Sequence, residues 1–80
     1  AAAFLHRLTE VHELDDGYLI ITELKSGNVQ NLAVEQTDDG YEIWADEDHI
    51  IADIDGETDP TSFSVAVNNG VLQMEVKKVN

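Results

Sequence analysis

The chain contains no cysteine, which excludes disulfides, thiolate catalysis and cysteine-ligated zinc and makes a reducing cytoplasm the expected setting. Cations are nearly as scarce: 4 Lys and Arg stand against 17 Asp and Glu, for a formal net charge of -13. A surface of that sign repels polyanions, so neither nucleic acid nor an anionic membrane is an expected partner. No apolar run approaches the ~20 residues a membrane helix needs. The start, Ala1-Ala2-Ala3-Phe4, lacks a basic segment followed by a long apolar run and a cleavage site, so no signal peptide is expected. The missing initiator Met suggests a trimmed chain or an excised domain. Proline occurs once, at Pro60.

What is present is a regular alternation. Eighty residues, 42% of them hydrophobic, make one domain with a thin but adequate core. Turn pairs recur at Asp16-Gly17, Gly27-Asn28, Asp39-Gly40, Asp55-Gly56 and Asn69-Gly70, with short apolar runs between them. Leu32 and Val34 alternate with polar residues, as do Tyr41, Ile43 and Ala45. The same holds for Phe63, Val65 and Val67, and for Leu72, Met74 and Val76. A period of two means one buried and one wet face. The stretches Tyr18 to Leu24 and His49 to Ile54 are apolar on both faces, as central or interface strands would be. Seven strands follow, over 9–14, 18–24, 31–37, 41–46, 49–54, 62–68 and 71–78. The predicted fold is all-β, an immunoglobulin-like antiparallel β-sandwich over residues 9–80. Residues 1–8 read differently, because Phe4, Leu5, Leu8 and Val11 fall at helical spacing; they form an N-terminal arm or a short helix.

The residues available for chemistry are few. His6, His12 and His49 are the only side chains suited to proton transfer near neutral pH, and they read as surface histidines. The run from Asp53 to Asp59 invites a calcium reading, but counting from Asp53 its glycine is fourth rather than sixth and position twelve is Ser64 rather than Glu. It does not fit the EF-hand and reads as an acidic turn. Asp46-Glu47-Asp48 likewise reads as an acidic hairpin tip that discourages edge-to-edge aggregation. No metal or cofactor is expected. A domain of this size has little room for a deep cleft, so an enzyme is not expected either. Carboxylates spread along the whole chain fit adaptation to high salt, ordinary solubility, or an acidic binding surface, the first being preferred. Trp44 has the opposite parity from Tyr41, Ile43 and Ala45 and should point outward, either as a binding anchor or covered by the N-terminal arm or a neighbouring subunit.

Asn69-Gly70-Val71-Leu72 followed by Met74, Val76 and Lys78 resembles the signature that closes the alpha-crystallin domain of small heat-shock proteins. Val65 stands where that family has alanine, and Lys77 where it has proline. Upstream, Ile54, Asp59 and Phe63 fall at its expected spacing, and Glu23-Leu24, Leu32, Val34, Tyr41 and Ile43 match its first half. Only Ala45 to His49 separate Trp44 from Ile50, whereas bacterial and plant members insert a long loop whose strand swaps between partners. Homo-oligomers are therefore possible, but not by strand swap, and the chain is more similar to short forms such as the CS-type co-chaperone sandwiches. The family's C-terminal Ile-x-Ile tail is also missing before Asn80. The resemblance implies an ATP-independent chaperone-like domain that binds other polypeptides. Leu32, Val34, Phe63, Val65 and Val67 would border an edge groove accepting extended apolar segments, with Trp44 as an added anchor. The other reading is a structural or regulatory interaction module without holdase activity, of the gas-vesicle-associated or ATPase-appended type, from a halophilic organism.

Overall fold

The computed structural model describes residues 9–25 and 27–79. The helix or arm expected over 1–8, and His6 within it, lie outside the described residues. Seven strands run in chain order: β1 (Thr9–Glu13), β2 (Gly17–Glu23), β3 (Leu32–Thr37), β4 (Gly40–Ala45), β5 (Asp48–Asp53), β6 (Thr58–Asn68) and β7 (Val71–Lys78). They form two antiparallel sheets, ordered β1-β2-β7-β6 and β3-β4-β5, and the protein is a seven-stranded β-sandwich. No helix among the described residues is long and apolar enough to cross a membrane.

The period-two stripes become the core. Tyr18 and Ile20 on β2, Leu72, Met74 and Val76 on β7, Tyr41, Ile43 and Ala45 on β4, and Ile50 and Ala52 on β5 are all buried together. Their alternate neighbours Gln73, Glu75 and Lys77 are exposed, as the pleat requires. Each fully buried Ile or Leu contributes about 1.5–3 kcal/mol. Between β6 and β7, Asn69 and Gly70 have φ of 52° and 77°, and Asn68 pairs with Val71. Positive φ at both central residues is the two-residue turn whose twist suits a hairpin, and Asn-Gly is its preferred sequence.

Three features differ from the expectation. β6 begins at Thr58 rather than Ser62 and crosses an irregularity between Asp59 and Ser64; as an edge strand it tolerates Pro60, which has no N–H to give. β5, apolar on both faces, is also an edge strand, and its outward Ile51 is half exposed. Asp48 is not a wet member of an acidic tip: it is 3% exposed, and its carboxylate accepts the Lys25 N–H at 3.1 Å.

Candidate functional site

Both sheets end in edge strands, β1 and β6 in one and β3 and β5 in the other. At one margin β1 approaches β5; at the other, β3 and β6 make no comparable contact. The second margin is therefore open, and five of the six candidate residues lie on it.

On β3, Leu32 and Val34 stand opposite Ala45 and Ile43 of β4, both buried, so their side chains share the inner face. On β6, Val65 and Val67 stand opposite Met74 and Leu72 of β7, again buried. Val34, Val65 and Val67 pack against the core while remaining partly accessible. Leu32, where no facing strand covers it, is 44% exposed. A groove of about 350 Å³ is lined by Gly27, Asn28, Val29, Leu32, Val65 and Val67. Phe63 is 42% exposed; it belongs to the same strand but lies within the irregular stretch before Ser64 and does not line this groove. Val29, in the loop before β3, is a lining residue that the strand pattern did not single out, since loop residues carry no period.

The far end of the margin is built differently. Gln36, the next inward position on β3, donates from Nε2 to the Thr58 carbonyl at 3.4 Å, a bond that spans the two sheets. Behind it the Tyr41 hydroxyl and the Thr58 hydroxyl lie 2.6 Å apart in the interior. Around this bridge a polar pocket of about 220 Å³ is lined by Gln36, Thr37, Asp38, Gly40, Ile54, Gly56, Glu57 and Thr58. The margin thus carries an apolar groove at one end and a separate polar pocket at the other.

The mouth of the apolar end is held by Asp46. With φ of 54°, this residue turns its carboxylate toward β3 and accepts the N–H groups of Gln30 (3.0 Å) and Asn31 (2.9 Å). Its own N–H donates to the Asn31 carbonyl. The backbone N–H of Gln30, then that of Asn31, holds the Asp46 carboxyl below the ordinary carboxylate range, because hydrogen bonds to the charged form favour it. The acidic tip expected from sequence is a structural cap on the strand that carries Leu32.

Trp44 points outward, as its parity requires, and lies on the other face of its sheet from Val34. It is half-buried and stacks on His49 with ring centroids 5.1 Å apart and planes within 6°. His49 Nε2 lies 2.7 Å from a Glu42 carboxylate oxygen. A shallow depression links Trp44 to Leu32 through Ala33, Asn31, Gln30 and Asp46. Trp44 therefore adjoins the groove at its apolar end but does not line it.

Elsewhere, His12 sits on the exposed face of β1 with Glu10 at 2.8 Å. In the Asp53 to Asp59 segment, the Asp59 carboxylate accepts the Thr61 hydroxyl (2.7 Å) and N–H (2.9 Å), and these bonds, the hydroxyl first, lower its pKa. Asp59 thus organises its own turn. Among the described residues no three His, Asp or Glu side chains converge as a possible metal site.

No protein-family model matches the chain, and no curated protein matches it significantly.

Proposed function

We propose that this domain is an ATP-independent polypeptide-binding module of the small heat-shock protein type, which holds extended apolar segments along the β3–β6 margin. The observation that carries the reading is the open margin itself: Leu32, Val65 and Val67 from two facing edge strands line one groove, with Val29 at its rim. An edge strand offers unpaired backbone groups, and alternate side chains of an added strand would enter such a groove. The spacing of Asn69-Gly70-Val71-Leu72 and of the apolar positions before it supports the same family. Distribution of charge supports a halophilic cytoplasm, since Asp48 is the one buried carboxylate residue among the 17 acidic residues.

The test is suppression of thermal aggregation of an unrelated client in molar potassium chloride. Protection is expected at stoichiometric amounts, together with its loss in Leu32→Ser, whose exposed position leaves the melting curve nearly unchanged. Full client aggregation in the presence of the folded wild-type domain would favour an interaction module without holdase activity. That second reading draws on the Trp44 face, where half-exposed Ile51 and the stacked Trp44–His49 pair offer a separate contact surface.

A further inference from the structure

We infer that the β3–β6 groove has a chemical direction: it selects extended segments carrying apolar side chains at one end and a lysine or arginine at the other. This deepens the polypeptide-binding reading and rests on it. The apolar end is lined by Gly27, Asn28, Val29, Leu32, Val65 and Val67, with no charged side chain among them. At the polar end of the margin, marked by the Gln36–Thr58 bridge, Asp38 and Glu57 line the pocket. Both are exposed, and among the described residues neither carboxylate is engaged by an ion pair or side-chain hydrogen bond. The carboxylates of Asp46 and Asp59, which flank the same margin, are by contrast occupied by backbone and hydroxyl donors. Asp38 and Glu57 are thus open to an incoming cation, and Asp39, Asp53 and Asp55 line an acidic depression that adjoins Asp38.

Strand geometry sets the spacing. From Leu32 to Gln36 and Asp38 the chain advances four to six residues, or about 13–20 Å at ~3.3 Å per residue. An extended occupant therefore places two apolar side chains, two residues apart, against Leu32, Val65 and Val67, and its cation about four to six residues away. A segment with an acid there meets Asp38 and Glu57 as like charges, which discriminates between partners as well as attracting the right one.

Because the whole molecule is acidic, attraction of any cationic peptide is the competing explanation, and the experiment separates the two. Two fluorescent peptides are compared by anisotropy at about 0.15 M salt, where charges beyond ~8 Å are screened. Each carries two valines two residues apart, followed at about the fifth position by lysine in one and glutamate in the other. The protein is used as wild type, as Asp38→Asn with Glu57→Gln, and as Asp15→Asn with Glu75→Gln, the last pair having equal net charge but lying elsewhere on the surface. The Asp38/Glu57 variant should bind the lysine peptide about three- to tenfold more weakly, as expected for one or two partly screened ion pairs, and the glutamate peptide no more weakly than wild type does. The Asp15/Glu75 variant should stay within about twofold of wild type. Equal weakening by both double variants overturns the inference and leaves the groove standing. Absence of binding by either peptide to the wild-type protein removes the groove reading and this inference together.

Discussion

The hydroxyls of Tyr41 and Thr58 meet at 2.6 Å inside the sandwich, joining the middle strand of one sheet to the start of the edge strand of the other. Both side chains are buried, so neither can turn to water for a replacement partner. Tyr41→Phe should lower stability by about 1–3 kcal/mol, the cost of leaving a buried hydroxyl unpaired. Thr58→Val should cost a similar amount, and the double variant should cost less than the sum. Urea unfolding of the four proteins measures this; strict additivity would mean that the bond contributes nothing.

Gly40 opens β4 with φ of 154°, and a Cβ there would collide with the Ala52 carbonyl oxygen. That neighbour is backbone of the paired strand and has nowhere to go. Gly40→Ala should therefore destabilise by more than about 3 kcal/mol, whereas Gly27→Ala, with open space around it, should be close to neutral. Thermal melts of the two variants check the contrast, and equal melting temperatures would contradict the close approach of β4 and β5.

Acid should loosen the cap on β3. Hydrogen bonds from Gln30 and Asn31 depress the Asp46 pKa in the folded state. The stability they supply is therefore complete above the unfolded carboxyl value of about 4 and fades as pH falls through the lower folded value. Protonating the other carboxylates relieves repulsion at the same time, so the informative quantity is the difference between wild type and Asp46→Asn. That difference should be largest near neutrality and shrink below about pH 4. A difference independent of pH would mean that the charge of Asp46 is not what holds the two N–H groups.

Salt should raise the melting temperature. A net charge of -13 on 80 residues opposes the compact state, and 1 M salt shortens the screening length to about 3 Å. Circular dichroism melts in dilute buffer and in molar potassium chloride should differ by several degrees, with the β spectrum retained in both. Salt-independent melting would argue that the acidic surface is already well tolerated.

The sandwich was legible because a period of two survives wherever a strand has one wet face, and every run from Tyr41 to Ala45 or Leu72 to Val76 kept its parity in three dimensions. The start of β6 was not legible, because Asp59-Pro60-Thr61 reads as a turn. There, side chains replace the ladder: the Ser62 hydroxyl donates to the Asp59 carbonyl and accepts the Lys77 N–H, a substitution no apolar pattern announces. Burial of Asp48 was equally hidden, since its partner Lys25 N–H lies 23 residues away. At Leu32 and Val65 the inward parity was visible, but whether an inward residue faces a packed core or an open groove depends on strand order. That order is a property of the whole chain.

Pro60 and the irregularity beside it bear on what an exposed margin risks. Uncovered edge strands invite copies of themselves, and unbroken ones seed fibrils. Here the first stretch of β6 lacks a backbone donor at the proline, and its pairing is out of step until Ser64, so only the five residues from Ser64 to Asn68 present an even row of acceptors and donors. Whatever adds to that edge meets a short landing strip with a stop at its end, too brief for one sandwich to template the next.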